Sequence, residues 1–285
     1  MKRDEATKLA EQGLADLNVA LQQGASDTLV RYLDALARFH HYSFGNVMLI
    51  ASQKPDATQV AGFHTWKKLD RWVKKGEQGI AILAPMVARR RRDDTTKLTV
   101  ENDDGTVRQL YGFRVVYVFD LSQTEGAELP EFAAINGDPG TGLRRLEGIV
   151  GAYGIRLEYD FPSCGALGVS RDGSIVVRPD MPPAETFAVL VHELSHEILH
   201  QQTGRKREVS RTVLETEAEA VAYVVCQAMG LETTTRSCDY IQLYRGGVAT
   251  LSESLDLIQR TAASLIEQLQ DESAHNEQEG QCHAA

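Results

Sequence analysis

The sequence predicts an α+β protein of two domains. The N-terminal domain is expected to hold helices and a β-hairpin, and the C-terminal domain is expected to form around a helix that carries a metal site. Three observations support this. Its 285 residues are enough for two domains of ordinary size. Helical and strand-like patterns alternate on both sides of a stretch rich in Gly, Pro, Glu and Asp over 122–142. Charge is also unevenly divided, with 18 basic against 17 acidic residues in 1–130 and 12 against 23 in 131–285.

The N-terminal part predicts helices followed by strands. Leu9, Leu14, Leu17 and Leu21 form one apolar stripe at helical spacing. Helices are predicted over 5–23, over 29–39 and through 47–50 until Pro55, and strands are predicted over 79–85, 98–100 and 107–120. The last strand alternates Tyr111, Phe113, Val115, Tyr117 and Phe119 on one face, and Asp103-Asp104-Gly105 predicts the hairpin turn before it.

The C-terminal part predicts a compact second domain. A helix is expected near 143–153, a strand over 155–159, a hairpin with its turn at Arg171-Asp172-Gly173-Ser174, two helices that carry the metal site, and a last helix over 249–270. We therefore place the domains at 1–125 and 143–270. The linker falls at 126–142, and a polar, disordered tail is expected over 271–285.

The nine residues from His192 to His200 contain the pattern H-E-x-x-H. On a helix, His192 and His196 differ by about 40° around the axis and about 6 Å along it, so both can reach one ion. Glu193, beside the first histidine, suits a general base that takes a proton from water on the ion. The alternative is a core helix with two histidines aligned by chance. The apolar lead-in over 187–191 and Pro182-Pro183 at the helix start favour the metal site.

A third protein ligand is still needed, and the next helix offers carboxylates. Glu215 and Glu219 share a face of that helix, whereas Glu217 points elsewhere. We assign Glu215 as the third ligand and Glu219 as the carboxylate that orients a ligating histidine, although the order could be reversed. A solvated acidic face is the alternative. His200 lies about 12 Å along the helix from His192, which is too far for the same ion and favours a supporting or packing role.

The segment around 63–76 mixes aromatic and basic residues, which is typical of a surface for single-stranded nucleic acid. Residues 54–92 hold 10 basic and 3 acidic residues. The candidate DNA-binding residues are Phe63, Trp66, Lys67, Lys68, Arg71, Lys74, Lys75, Arg89, Arg90, Arg91 and Arg92. Two alternatives stay open. Tryptophans are more often core residues than stacking platforms, and the four arginines are equally typical of a solvated loop tip.

Composition restricts the setting in which the protein works. No apolar run approaches the roughly 20 residues of a membrane span, so we expect no membrane partner. The N-terminus is charged and lacks the apolar core of a signal peptide. The chain has 4 cysteines without C-x-x-C spacing. Scattered cysteines of this kind predict reduced thiols and a cytoplasmic location.

The chain resembles the antirestriction protein ArdC family of conjugative plasmids. The matching stretches are 55–69, 73–85, Val118-Phe119-Asp120-Leu121-Ser122-Gln123-Thr124-Glu125-Gly126, and the H-E-x-x-H motif with its Glu215-Thr216-Glu217-Ala218-Glu219 partner. The resemblance implies an N-terminal domain that binds single-stranded DNA and a C-terminal zincin-like metallopeptidase domain. It also implies protection of incoming plasmid DNA from host restriction during conjugation. A following helix that donates a glutamate is similar to other H-E-x-x-H families, which favours Glu215 over Glu219.

Two functions are therefore expected from the sequence. In the first, the protein is a zinc metallopeptidase tethered to single-stranded DNA, with His192, His196 and Glu215 on the ion, Glu193 as base, and a protein substrate. Tyr223 or His200 would stabilise the oxyanion. In the second, the protein binds single-stranded DNA without catalysis, and the metal is structural. Zinc is the expected ion, with manganese or cobalt as alternatives. A peptidase associated with a toxin or a transcriptional regulator is a weaker third hypothesis, which predicts little DNA affinity.

Overall fold

The structure, a computed structural model, describes residues 1–23, 26–89, 99–101, 107–127, 139–162, 166–201, 210–231 and 248–271. Helices and strands are mixed, as the sequence predicts. The first part of the chain holds α1 (Arg3–Gln22), α2 (Ser26–Arg38), α3 (Phe44–Gln53), β1 (Val60–Gly62), α4 (Phe63–Lys68), β2 (Arg71–Val73), β3 (Ile80–Arg89), β4 (Thr99–Glu101), β5 (Val107–Asp120) and β6 (Thr124–Gly126). The second part holds α5 (Thr141–Ala152), β7 (Arg156–Tyr159), β8 (Gly168–Arg171), β9 (Ser174–Val177), α6 (Pro183–His196), α7 (Arg211–Ala228) and α8 (Val248–Gln270).

The chain divides into two compact units. The first contains Met1–Ala15 and Gly45–Leu129, and the second contains Asp16–Phe44 and Pro130–Ala285. Residues 16–44, which the sequence analysis places in the N-terminal domain, therefore group with the second unit. The reason lies in α2, whose buried face packs on α7. Most of the predicted linker and all but the first residue of the predicted tail lie outside the described residues.

The first unit is organised around the long strand β5. This strand pairs antiparallel with β3 along most of its length, with β4 at its start and with β1 at its end. The predicted hairpin partner of β5 is thus present as β4, whereas the turn at 103–105 lies outside the described residues. The β3–β5 register shifts between Met86 and Val87, opposite Gly112, whose φ of 146° suits glycine.

Two amide side chains of α3 satisfy the edge of β3 that does not face β5. The side chain of Asn46 donates to the carbonyl of Leu83 and accepts from its N–H, at 2.9 and 2.8 Å. Gln53 makes the same pair of bonds with Ala81, at 2.8 and 3.0 Å. Alternate residues of an edge strand present their backbone groups outward, so the helix replaces a missing strand at two positions.

Asp120 ties together the loops at the end of β5. One carboxylate oxygen accepts the N–H groups of Thr58 and Gln59, at 2.8 and 3.1 Å, and the other accepts the N–H and hydroxyl of Ser122. Gln123 caps the backbone N–H of Asp120 at 2.9 Å and donates onward to the carbonyl of Gln78. The motif over 118–126 is therefore a structural junction in this chain.

The second unit combines helices with a small mixed sheet. Its strand order is β7-β9-β8, with β7 parallel and β8 antiparallel to β9. The predicted turn between β8 and β9 is present, and both Asp172 and Gly173 have positive φ, as a two-residue hairpin turn requires. Helices α5 and α7 pack on α6, and α8 packs on α7. Buried apolar residues such as Phe187, Leu194 and Leu255 fill the space between the elements.

The predicted secondary structure and the observed structure differ in two places. The metal-site helix does not continue as α-helix beyond His196, because Glu197–Gln201 form a π-helical turn. In addition, the segment 60–73, which the sequence analysis treats only as a binding surface, forms β1, α4 and β2. Among the helices of the described residues, none has both the length and the apolar character that a bilayer-crossing segment needs.

Candidate metal centre and nucleic-acid surface

The two helices that carry the predicted metal site pack directly against each other. Helix α6 begins with Pro183 in its first turn, where a missing N–H costs nothing. Its apolar residues, including Leu190 and Val191, are fully buried. Helix α7 is capped at its start by Ser210, whose hydroxyl accepts from the N–H of Val213. Where the two packed helices meet, polar residues of α6 lie close to polar residues of α7.

His192, His196 and Glu215 come together between these helices. The Nε2 atoms of the two histidines are 3.1 Å apart. Oε2 of Glu215 lies 3.7 Å from Nε2 of His192 and 3.4 Å from Nε2 of His196. One ligand atom from each of the three residues can be chosen so that all lie within 4.8 Å of one another. The structure thus brings together the three residues that the sequence analysis assigns as ligands.

The donor set fits a divalent ion. Bonds of about 2.0–2.2 Å at tetrahedral angles place ligand atoms roughly 3.3–3.6 Å from each other, which is close to the three separations found here. Two imidazole nitrogens and one carboxylate oxygen suit zinc, and they also accept manganese or cobalt. Three protein ligands would leave a fourth position open, as in catalytic rather than structural zinc sites.

The protonation of the cluster reflects its mixed charges. Burial lowers the pKa of His192, but the neighbouring carboxylates of Glu215 and Glu219 outweigh this and raise it to about 9. Hydrogen bonds from His192 and His196 lower the pKa of the Glu215 carboxyl well below its usual range. A cation is thus favoured between these groups, whether it is a proton or a metal ion.

Glu219 lies on the far side of His192 from Glu215. Its Oε2 is 3.1 Å from Nδ1 of His192, whereas Glu215 approaches Nε2 of the same ring. The two atoms are close enough for an ion pair, but Nδ1 makes no hydrogen bond of normal geometry among the described residues. A carboxylate beside Nδ1 favours a proton on that nitrogen, which leaves Nε2 facing the cluster. The geometry therefore gives the two glutamates the order that the sequence analysis prefers, with Glu215 on the ligand side.

Glu193 is buried beneath strand β8. A Cβ added to Gly168 would lie 2.6 Å from Cγ1 of Val189 and 2.8 Å from Cγ of Glu193, so only glycine leaves room for this side chain. Burial raises the pKa of the Glu193 carboxyl, against the opposing effects of His192 and His196 and of a hydrogen bond from the backbone of Ser170. Sequence reasoning missed Gly168, because nothing in its local pattern shows that α6 approaches it.

His200 and Glu217 form a buried pair on the other side of His196. Nδ1 of His200 is 3.0 Å from Nδ1 of His196, and its Nε2 is 3.1 Å from Oε2 of Glu217. The other carboxylate oxygen of Glu217 accepts the hydroxyl of Ser254, on α8, at 2.5 Å. The supporting position predicted for His200 matches this geometry. Sequence reasoning missed the partners of His200, although its spacing of four from His196 was a signal.

The two residues suggested for oxyanion stabilisation are held by other groups. The hydroxyl of Tyr223 donates to Oδ1 of Asp34 at 2.7 Å, and the ring of His200 lies between His196 and Glu217. Both side chains are buried. The structure therefore corrects the expectation that either residue faces a substrate.

The structure also corrects the assignment of Trp66 to DNA binding. Its side chain is only 1% exposed, and its Nε1–H donates to the carbonyl of Phe119 at 2.8 Å. Trp66 lies on the inner face of α4 and joins this short helix to β5. A ring in this position has no face free for a nucleobase, so the core alternative holds for this residue.

The predicted basic residues fall into three groups. Lys67, Lys68 and Lys75 are exposed. Arg71 donates from Nε to the hydroxyl of Thr124 at 2.9 Å and from its guanidinium to the carbonyl of Ala127, and Lys74 donates to the carbonyl of Ser122 at 2.9 Å. Arg89 ends β3, and Arg90, Arg91 and Arg92 lie outside the described residues.

Several aromatic side chains of the first unit are exposed. Phe63, which the sequence analysis selects, is half-exposed at the start of α4. Trp72, which the sequence analysis does not select, is 51% exposed on β2. On β5, the exposed rings are Tyr111, Phe113 and Tyr117, three members of the alternating face. The alternating sequence pattern predicted that face, but the sequence analysis gave it no role in binding.

The fold and the site define a class: a mixed helix-and-sheet protein in which an H-E-x-x-H helix and the next helix form a candidate divalent-metal centre. The family follows from the first part of the chain. Residues 6–119 match the family model of the N-terminal domain of anti-restriction factor ArdC. This part of the chain is therefore an ArdC-type N-terminal domain, which confirms the resemblance seen in the sequence.

Individual relatives are more distant. An uncharacterized protein of Bacillus anthracis is 25% identical over 314 aligned residues, which include 93% of this chain and 51% of the relative. The chain thus spans about half the length of the curated relative that it matches. The metal-free crystal structure of the antirestriction protein ArdC from plasmid R388 is 20% identical, with a TM-score of 0.49, over 79% of this chain and 84% of that one. The Mn(II)-bound structure of the same protein is 19% identical, with a TM-score of 0.46, over 80% of this chain and 85% of that one.

Proposed function

We propose that this protein is an antirestriction protein that binds single-stranded DNA and carries a zinc-dependent metallopeptidase site. In this proposal it protects incoming plasmid DNA in the cytoplasm during conjugation. The observation that carries the catalytic part is the convergence of His192, His196 and Glu215 beside a buried glutamate that is not a ligand. The match of residues 6–119 to the N-terminal domain of anti-restriction factor ArdC supports the antirestriction role.

The chain's own residues divide the proposed chemistry among them. His192, His196 and Glu215 would hold the ion, and Glu219, 3.1 Å from Nδ1 of His192, would help to orient that ring. A divalent ion at this position supplies Lewis-acid chemistry for hydrolysis of a peptide bond. Glu193 accepts a proton from the attacking water at its carboxylate. Burial raises the pKa of Glu193 toward the working pH, and a general base is most effective when its pKa lies near that pH.

The burial of Glu193 favours catalysis over a purely structural metal. A structural site needs ligands and their supports, but it needs no buried carboxylate beside them. Here β8 passes over Glu193, with glycine at the point of contact and a backbone hydrogen bond from Ser170. Burying a carboxylate costs free energy, and a role as general base beside the ligands gives this one a function.

The DNA-binding part of the proposal uses a revised set of residues. Trp72 and Phe63 present half-exposed rings, and Lys67, Lys68 and Lys75 present exposed charges. Phe63 and Lys67 are four residues apart on α4 and so share a face. Rings for unstacked bases and ammonium groups for phosphates are the two requirements of a single-strand surface. Trp66 does not belong to this set.

Glu193→Gln tests whether the site is catalytic. The amide keeps the shape of the side chain but cannot accept the proton, so we expect bound zinc and the fold to be retained and hydrolysis of casein, with and without poly(dT), to fall by at least about 100-fold. Zinc content, circular dichroism and cleavage would be measured on the same samples. Glu185→Gln, on the exposed first turn of the same helix, is the matched control and should behave as wild type.

The same variants separate catalysis from DNA protection in cells. Transfer of an unmodified plasmid into restricting and non-restricting recipients gives a protection ratio. If Glu193→Gln abolishes protection while Glu185→Gln does not, peptidase activity is needed for the antirestriction role. If Glu193→Gln protects fully, the non-catalytic single-strand-binding function with a structural metal replaces the peptidase proposal.

A further inference from the structure

The proposed metal centre has an internal support that extends from α6 and α7 to helix α8. We propose that Glu217, acting through His200, is a positioning residue that fixes the ring of His196 for metal binding, and that Ser254 holds Glu217 in place. The inference rests on the proposed metal site, because it describes how one of the ligands of that site is prepared.

Four side chains, from three helices and the π-helical turn, make this chain of contacts. His196 ends α6, His200 lies in the π-helical turn, Glu217 lies on α7 and Ser254 lies on α8. The separations are 3.0 Å between the two Nδ1 atoms of the histidines, 3.1 Å from His200 Nε2 to Glu217 Oε2, and 2.5 Å from Ser254 Oγ to Glu217 Oε1. Each separation is within hydrogen-bonding range.

The order of the contacts favours one arrangement of protons. A carboxylate only accepts, so Glu217 receives the hydroxyl of Ser254 on one oxygen and the Nε2–H of His200 on the other. A neutral His200 then carries no proton on Nδ1, which accepts the Nδ1–H of His196. Once the proton that it shares with Glu215 is lost, the remaining ring nitrogen of His196, Nε2, has a lone pair on the side of His192 and Glu215. That is the form of the ring that binds a metal ion.

Burial gives this arrangement its strength. Glu217 and Ser254 are 0% exposed and His200 is 2% exposed, so the bonds form where water competes little. A buried carboxylate without such partners would be strongly unfavourable. The π-helical turn contributes as well, since it places His200 within reach of Glu217 directly after the last turn of α6.

The two histidines of the motif are supported in different ways. His192 has a carboxylate at its Nδ1 directly, from Glu219. His196 instead contacts the ring of His200, and that ring contacts the carboxylate of Glu217. Glu215, Glu217 and Glu219 thus contribute a ligand and two supports, which gives each carboxylate of this α7 segment a distinct role in one site.

Zinc affinity of the full-length protein tests the inference. Wild type, Glu217→Gln and Glu197→Gln would be titrated with zinc against a chromophoric chelator. Glu197 is a matched control, because it is also buried, adjoins His196 in sequence, and accepts from the N–H of Gly173 rather than from a histidine. We expect Glu217→Gln to weaken zinc binding by about 10- to 100-fold and Glu197→Gln to bind like wild type. Equal affinities in the two variants would overturn the inference and leave the proposed metal site intact.

A second measurement uses only the wild-type protein, so it does not depend on whether a variant folds. Long-range ¹⁵N–¹H correlation spectra of the metal-free, histidine-labelled protein show which ring nitrogen carries the proton. We expect His200 to be protonated on Nε2 and unprotonated on Nδ1. A proton on Nδ1 of His200 contradicts the inference whether or not metal binds. Wild type that takes up no zinc, manganese or cobalt refutes the proposed function instead, so the two failures are distinct.

Discussion

The two tryptophans of this chain, six residues apart, are expected to respond to substitution in opposite ways. Trp66 is 1% exposed and bonded to the backbone of β5, whereas Trp72 is 51% exposed. We expect Trp66→Ala to unfold much of the first unit. We expect Trp72→Ala to keep the fold and to weaken binding of single-stranded DNA. The pair therefore tests the structural assignment and the proposed function in one experiment.

The magnitudes follow from burial and hydrogen bonding. Truncating a buried tryptophan costs about 3–5 kcal/mol, and the carbonyl of Phe119 then loses its donor at a further cost of about 1–3 kcal/mol. This sum is a large part of the roughly 5–15 kcal/mol that stabilises a typical domain. Truncating Trp72 should cost below about 1 kcal/mol of stability. Loss of one base–aromatic stack weakens binding by about 1–3 kcal/mol, or roughly 5- to 150-fold in Kd.

The assay uses the full-length protein. Urea unfolding followed by circular dichroism measures stability, and anisotropy of labelled poly(dT) measures binding at low and moderate salt. Since the chain has 2 tryptophans, each conservative variant leaves one fluorescent reporter. In Trp66→Phe the remaining Trp72 should be quenched by poly(dT). In Trp72→Phe the remaining Trp66 should not respond.

Two results would refute this reasoning. If Trp66→Ala has the stability of wild type, the tryptophan is not the core residue that the structure shows. If Trp72→Ala is stable and binds poly(dT) as wild type does, Trp72 does not stack on bases and the revised surface is wrong. Binding that is unchanged by salt would contradict the contribution of the lysines, because phosphate contacts release counterions.

Three further predictions concern the junctions of the fold. Asn46→Ala and Gln53→Ala should each lower the free energy of unfolding, measured in urea, by about 1–3 kcal/mol and promote aggregation. The reason is that each substitution leaves backbone groups of β3 unpaired. Wild-type stability in both variants would show that this strand edge does not need the helix to cover it. Burial alone would raise the pKa of Asp120, but hydrogen bonds from Ser122 and two backbone N–H groups lower it overall, so its contribution to stability is present above the unfolded pKa of about 3.9 and is lost as the pH falls through the folded pKa. The stability difference between wild type and Asp120→Asn should therefore shrink from pH 7 to pH 3, and a constant difference would contradict this. Gly168→Ala should reduce casein hydrolysis by at least about tenfold while zinc stays bound, since the added methyl displaces Glu193; full activity in this variant would exclude the contact.

The sequence was informative wherever a local period carried the signal. Apolar stripes predicted α1, α2, α5 and α8 to within a few residues, and Asp172-Gly173 predicted the turn between β8 and β9. The spacing of His192 and His196, with Glu215 on the next helix, predicted a cluster that the structure brings together. These features depend on helix geometry and on backbone conformation, both of which are set within a few residues.

Local pattern failed where a choice depended on distant contacts. Trp66 and Trp72 have similar sequence surroundings, but α4 packs one of them on β5 while β2 leaves the other half-exposed. Glu217 lies between two glutamates that face the metal cluster, and its partners come from 17 and 37 residues away. The short elements β1, β2 and β6 have no period long enough to be recognised.

The sequence by itself determined the chemistry available to this protein: the H-E-x-x-H helix, the glutamates after it and the mixture of aromatic and basic residues near the N-terminus. Only the tertiary structure decided which of those residues face one another, which ring is open to solvent and which carboxylates are buried. The physical reason is that residue type and short-range spacing fix side-chain chemistry and local backbone geometry. Burial and hydrogen-bond partners instead arise when elements far apart in the chain exclude water between them.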